Sequence, residues 1–231
     1  MNEKSHNSFE KYLLLVTNNT KKIHDTRFKI KNLKLNKMKK TILFLTLGLI
    51  QVTLFAQSKW TVDIVHSSIK FTVTHLVISE VEGQFNTFSG NVTATNHDFT
   101  DAVIDFTVDV NSINTDNGMR DKHLKSADFF NVEKFPQATF KGTSFKKLAD
   151  NKYELNGDFT MHGITKSVKF EVTYGGMAND GYGNIKAGFK AITTINRFDF
   201  GLQWNKLTEA GGAIAGKDVT ITVRLELAKA K

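Results

Sequence analysis

The sequence has no cysteine and a single proline, Pro136. Without thiols there are no disulfides, no thiolate metal ligands and no thiol nucleophile, so the fold has to hold by packing alone. Long apolar runs are missing from residues 57–231, where none approaches the roughly 18 residues of a membrane-spanning helix. That part is expected to be soluble after export, with no stable membrane insertion. Net charge is missing from it as well. The chain carries 31 Lys and Arg against 23 Asp and Glu, yet residues 1–56 hold 11 of the basic and 3 of the acidic residues. Residues 57–231 are left with 20 of each. A basic chain would point towards nucleic acid. Here the excess belongs to the leader, and no nucleic-acid partner is expected.

The leader is the first feature that is present. In MKKTILFLTLGLIQVTLFAQ, residues 38–57, Lys39 and Lys40 give a positive start. An uncharged apolar run over 42–55 follows, and small Ala56 stands at its exit. This is the pattern of a secretory signal peptide, assigned to residues 38–56. The run is shorter than the ~20 residues that spanning requires; an uncleaved anchor is the alternative. Residues 1–37, with eight Lys and Arg27, are too long for the charged start of such a signal. Translation is therefore expected to begin at Met38, with 1–37 a spurious extension. N-terminal sequencing of the native protein tests this.

Residues 58–231 suit one domain with a real core. They read as strands almost throughout. Apolar and polar residues alternate over 69–75 and 102–110. The same period of two runs through Tyr153, Leu155, Phe159 and Met161, and through Val168, Phe170, Val172 and Tyr174. It returns at Ile185, Ala187, Phe189, Ala191 and Ile195, and at Val219, Ile221, Val223, Leu225 and Leu227. Strict alternation gives strands with one dry and one wet face. Turns are expected at 95–98, at 149–151 and from Gly175-Gly176 to Gly181. About eight or nine strands in sequence suggest an all-β antiparallel meander, closed into a barrel to remove its edges. Residues 117–126 break the alternation and predict a short helix. Pro136 precedes the strand at 138–140, where proline is tolerated.

At this point the residues resemble a known family. Trp60-x-x-Asp63-x-x-His66-Ser67-x-x-x-Phe71-x-x-x-His75 is similar to the opening signature of the YceI-like family of lipid- or polyisoprenoid-binding proteins. The similarity continues through Gly83-x-Phe85-x-x-Phe88-x-Gly90, Asp121-x-His123-Leu124-x-x-x-Asp128-Phe129-Phe130 and Pro136-x-x-x-Phe140. It ends with Gly157-x-Phe159-Thr160-x-His162-Gly163-x-Thr165 and Arg197-x-Asp199-Phe200-Gly201-Leu202. Phe159 stands where the family has Leu, which would narrow the interior. The resemblance implies an extended, lipocalin-like eight-stranded antiparallel β-barrel with a short helix. It implies a long apolar tunnel for an isoprenoid or similar chain, and a periplasmic location behind the signal peptide.

The chain has 19 Phe, many on the apolar face of its strands. The candidate ligand-binding residues are Phe71, Val73, His75, Phe85, Phe106, Phe140, Phe159, Phe170 and Phe189. A small barrel can fill its interior with side chains or keep room for one ligand, and composition alone favours the filled core. The resemblance favours the ligand, bound by leaving water at roughly 25 cal/mol per Å². His66, His75, His123 and His162 lack the close spacing of local metal-ligand pairs, so no metal is expected. His75 continues the inward series of Ile69, Phe71 and Val73. Asp121 and His123 are read as anchors at the helix start, and Arg197 and Asp199 as a pair across a turn.

Two motifs are set aside. Residues 211–217 fit G-x-x-x-x-G-K, but Asp218 replaces the Ser or Thr, and a strand follows where a helix is required. Asp199-Phe200-Gly201 lacks every other kinase element. No catalytic arrangement can be defended from spacing, so the expected function is a periplasmic carrier of a long apolar lipid, without a cofactor. A quinone-like or fatty chain is an alternative cargo. A barrel enzyme working through His75 and Arg197 is an alternative class, as is an envelope protein with a packed core. The oligomeric state stays open, a homodimer included.

Overall fold

The computed structural model describes residues 17, 20–22, 24–29, 31–33, 57–207, 209 and 211–230. The leader assigned to 38–56 lies outside them. The chain divides into two units, Met1–Leu54 and Phe55–Lys231. In the first, the described residues are helical and exposed.

The second unit is one sheet of eleven strands. They are β1 (Ser58–Val62), β2 (Ser68–His75), β3 (Ser79–Phe85), β4 (Phe88–Ala94), β5 (Val103–Asp109) and β6 (Ile113–Asn114), followed after a helix by β7 (Gln137–Ala149), β8 (Lys152–Met161), β9 (Ile164–Asn179), β10 (Ile185–Asn196) and β11 (Ala215–Lys229). The helix, α1, is Gly118–Lys125. The ring runs β1-β4-β5-β7-β8-β9-β10-β11, and β11 pairs back to β1, which closes an antiparallel barrel of eight rows.

Three rows are each made of two strands. The last part of β11 pairs with β1, at Val62↔Leu227, and its earlier part with β2, at Ile69↔Val223. β1 and β2 are thus one row, broken by a 3₁₀ turn at Ile64–His66 that Asp63 caps by accepting from Val65 N. β3 and β4 continue each other in the next row, and β5 and β6 in the third, around a second turn at Val110–Ser112. Beyond β6, α1 and residues 126–136 take over the wall.

The alternation explains the rows. In β9, Val168, Phe170 and Val172 are buried while Ser167, Lys169 and Glu171 between them are exposed. α1 starts where Asn117 Oδ1 accepts from Arg120 N at 3.0 Å, an N-cap. Asp121, in its first turn, anchors the preceding loop by accepting from Thr115 N and Oγ1 at 2.9 and 2.6 Å. His123 has no part in that anchor; its ring lies on Trp204 at 5.2 Å. Gly175-Gly176, expected to turn the chain, stay inside β9. They form a bulge, with Gly188 opposite Gly176 and Phe189 opposite Tyr174, so that Gly175 is the extra residue. Gly176 has φ +99°, a conformation that glycine adopts without strain. The reversal comes later, at 180–184.

Candidate functional site

The barrel interior divides along its length into two parts. One is filled with rings. Trp60 meets Phe99 at 5.2 Å, Phe99 meets Phe189 at 5.1 Å, and Phe189 stacks on Tyr174 at 5.0 Å. Phe145 stacks on Tyr153 at 4.7 Å with an interplanar angle of 9°. Pairs at these separations add attraction beyond the burial of their area. None of these six residues borders the main cavity, so they form a plug at the end marked by β1 and the start of β10.

The other part holds a cavity of about 320 Å³. Its wall includes Phe71 and Val73 of β2, Phe106 of β5, Phe140 of β7, Phe159 of β8 and Val223 of β11. Many of these inward-facing residues, such as Phe71, Val73, Phe106, Phe159, Ile221 and Val223, are only half-buried although they line the inside of a barrel. Interlocked core side chains would be fully covered. The volume is within the range of small-ligand pockets.

Glycines keep the rings against the wall. Phe71 is paired across β2 and β3 with Gly83, and Phe106 across β5 and β4 with Gly90. A Cβ added at Gly83 would come within 2.3 Å of Phe71, one at Gly90 within 2.4 Å of Phe106, and one at Gly157 within 2.3 Å of Phe140. The rings occupy the space that those side chains would take, and the lumen stays open.

The polar groups of the wall collect at the end away from the plug. His75 is paired with Ala215, and Ile214 O accepts from Leu76 N at 3.0 Å. Arg197, 2 % exposed, donates through Nε to Gly216 O at 2.8 Å, through Nη1 to Leu202 O at 2.5 Å and through Nη2 to Ala215 O at 3.1 Å. Its plane lies against the rings of Phe198, 4.4 Å away, and Phe129, 5.7 Å away. Asp199 is not its partner, contrary to the pair expected from sequence; the 3₁₀ turn at Arg197–Phe200 separates them. Burial without a carboxylate pushes the Arg197 guanidinium below its ordinary pKa. Arg120 donates to Thr115 Oγ1 at 2.8 Å and Thr115 O at 2.7 Å. Among the described residues, no Asp or Glu borders the cavity. Just past His75, the tip between β2 and β3 exposes Leu76, Val77 and Ile78, the first two with φ of +54° and +67°.

Eight of the nine residues expected from sequence border the cavity: Phe71, Val73, His75, Phe85, Phe106, Phe140, Phe159 and Phe170. Phe189 does not. It faces inward as its parity requires, but it lies at plug depth, opposite Tyr174 and Leu225. The four motif histidines do not assemble. His75 and His123 border the cavity, His162 packs on Phe135 at 4.5 Å, and His66 lies in the 3₁₀ turn that breaks the β1–β2 row. Residues not singled out as ligand contacts include Leu124, Phe129, Phe130, Leu202 and Trp204. Most of these sit in motifs already noted; Trp204 is in an irregular segment with no periodicity to reveal it.

A separate cluster lies at β1–β2. Asp63, His66 and Glu226 present atoms within 4.8 Å of one another. Lys186 Nζ reaches Asp63 Oδ2 at 2.5 Å and Glu226 Oε1 at 3.2 Å, and so supplies the positive charge there itself. Lys186 first, then His66, holds the Asp63 carboxyl down at about 2.

A closed antiparallel barrel around a half-lined apolar cavity is the architecture of lipocalin-like binding proteins. Residues 60–227 match the YceI-like domain. The chain belongs to the YceI-like family. It is 37 % identical over 193 residues to a UPF0312 protein of Pectobacterium atrosepticum, covering 82 % of this chain and 97 % of that one. It is also 37 % identical over 170 residues to a UPF0312 protein of Staphylococcus aureus, covering 73 % and 96 %. Among solved structures, the Campylobacter jejuni YceI protein superposes with a TM-score of 0.58 at 29 % identity, over 68 % of this chain and 90 % of that one. A polyisoprenoid binding domain from Saccharophagus degradans, implicated in plant cell wall breakdown, shares the fold, with a TM-score of 0.57 at 15 % identity over 74 % and 98 %.

Proposed function

We propose that this protein is an exported carrier that shields one long apolar chain from water, with the periplasm as its working place. The observation that carries this reading is the half-buried inner wall around the cavity. Each buried methylene of a guest contributes about 0.8 kcal/mol, so a dozen would supply roughly 10 kcal/mol gross. That exceeds the low end of the association cost, about 4 kcal/mol. An isoprenoid is the cargo we favour; its methyl branches suit a wall of aromatic rings, and the Saccharophagus domain of the same fold is described as binding such chains. The exported location rests on the leader at 38–56.

The half-exposed lining counts against a packed-core envelope protein. A barrel enzyme using His75 and Arg197 has less support, because three backbone carbonyls already hold Arg197 in place. Native mass spectrometry of the purified protein, followed by solvent extraction and identification of what is released, tests the carrier reading. A stoichiometric apolar molecule is the expected result. A protein that is empty as purified, and that takes up no added lipid, would overturn it.

A further inference from the structure

We propose that the tip between β2 and β3, Leu76–Ile78, with Leu207 beside it, docks the barrel on a lipid bilayer of no net charge by inserting its apolar side chains. This goes beyond the carrier reading and stands on the surface alone. Val77, Ile78 and Leu207 are each at least 60 % exposed, and Leu76 is exposed as well. The backbone ties the four together. Ile214 O accepts from Leu76 N at 3.0 Å, and Lys206 O accepts from Ile214 N at 2.9 Å. Leu207, next in the chain, pairs with Ala213. The tip is also built at a cost. His75 O accepts from Ile78 N at 3.2 Å, and both residues between them have positive φ, +54° at Leu76 and +67° at Val77. Hairpin turns with two positive φ values favour Asn-Gly or Gly-Gly. Leu-Val puts backbone strain and water-exposed apolar surface at the same two positions, and a turn that only faces water gains from neither.

Position, size and charge choose the partner. Val73, Thr74 and His75, which lead into the tip, border the cavity, and so does Ile214. Apolar surface thus runs from the lining out to the tip. A protein partner needs about 800 Å² of matched surface on each side, and two small turns offer roughly a few hundred. A bilayer asks for no matched shape; binding there grows with the apolar area buried in the boundary of headgroups and acyl chains. Charge then selects the lipid. Over residues 76–82 and 206–218, the exposed Glu80, Glu82, Glu209 and Asp218 stand against Lys206 and Lys217. That acidic excess is repelled by an anionic surface and tolerated by a zwitterionic one.

The test uses residues 57–231, which hold the whole closed sheet and its core and leave out the apolar leader. Flotation with phosphatidylcholine vesicles reads docking. We expect binding that survives about 0.5 M salt, where surface charge is screened, and that weakens when phosphatidylglycerol is added. Val77→Asn with Ile78→Ser should lower vesicle affinity about tenfold or more; Asn tolerates the positive φ, so the turn keeps its shape. Because the chain has no cysteine, Val77→Cys can carry a single polarity-sensitive dye, and so can Tyr182→Cys on the exposed turn at the plug end. Vesicles should shift the first dye to the blue and shield it from iodide, and leave the second unchanged. Absence of flotation overturns the proposal. So does binding confined to phosphatidylglycerol vesicles and lost in salt, equal binding by wild type and the double variant, or an equal response of the two dyes. A dimer that forms in solution and is lost in the double variant overturns it too, and gives the tip to a second copy of the chain. Neither Val77 nor Ile78 borders the cavity, so uptake of the apolar dye N-phenylnaphthylamine reports on the carrier reading separately. Uptake without docking strikes the tip alone, and docking without uptake strikes the carrier reading alone.

Discussion

The ring of Phe71 lies over Gly83, its directly opposed neighbour, so closely that a methyl group there would fall 2.3 Å from the ring. Gly83→Ala therefore has to displace Phe71, and the open direction is the lumen. Thr115 Cγ2, 2.8 Å from the same point, blocks retreat on that side. Overpacking of this kind costs about 1–3 kcal/mol. We expect a lower urea midpoint together with a shorter maximum chain length accepted in lipid titrations. Unchanged chain-length selectivity would show that the ring escapes elsewhere.

Val223 faces the cavity from β11, between Ala191 and Ile69 on the neighbouring rows. Val223→Trp should fill space that is already vacant. Lipid uptake is expected to fall at least tenfold, while stability changes by less than about 1 kcal/mol because no core contact is displaced. A large loss of stability with uptake intact would mean that the site was packed.

Asp63 carries the clearest acid signature. Its folded pKa, about 2, lies below its ordinary value of 3.8, with Lys186 the main cause. A depressed carboxyl stabilises the fold above its unfolded pKa and loses that contribution as pH falls through the folded one. Asp63→Asn should cost about 1–2 kcal/mol at pH 7 after allowance for solvent screening. The gap between variant and wild type should close between pH 4 and pH 2, followed by urea unfolding at each pH. A gap that persists at pH 2 would assign Asp63 a role other than ion pairing.

Tyr153 is 2 % exposed, and its hydroxyl has no hydrogen-bond partner among the described residues. Burial raises its pKa. Its proton is therefore held more tightly in the folded state, and stability falls as pH rises above 10, where the unfolded phenol ionises. Tyr153→Phe removes an unsatisfied polar atom and keeps the stack on Phe145. A gain of roughly 1 kcal/mol at pH 7 is expected, with a shallower decline above pH 10, both read from melting temperatures.

At the tip between β2 and β3, Val77 is 68 % exposed and held at φ +67°. A β-branched residue pays in this region what glycine does not. Val77→Gly should raise stability by about 1 kcal/mol, unless the exposed side chain is itself needed when cargo is exchanged. A lipid-transfer assay on the same variant separates the two effects.

Much of this was legible in the sequence, for a physical reason. Side chains in strands alternate strictly, so the apolar residues of β8, β9 and β10 declare which face is inside. Parity gives the face and says nothing of depth. Phe170 and Phe189 look alike in sequence, yet the antiparallel pairing puts one beside the cavity and the other in the plug. Gly175-Gly176 carried a turn's composition, and only the ladder on both sides shows that the chain bulges there without reversing. Arg197 next to Asp199 reads as an ion pair until the 3₁₀ turn points the guanidinium at carbonyls from residues 202, 215 and 216. Trp204 had no period to betray it, because its position depends on packing between segments distant in the chain.

The plug has a consequence for traffic. With six aromatic residues packed at one end, the cavity does not extend through the whole length of the bore. On the carrier reading proposed above, a chain held there would leave by the way it came, the atoms that enter last leaving first. Donor and acceptor would then be met in turn, with one load for each journey.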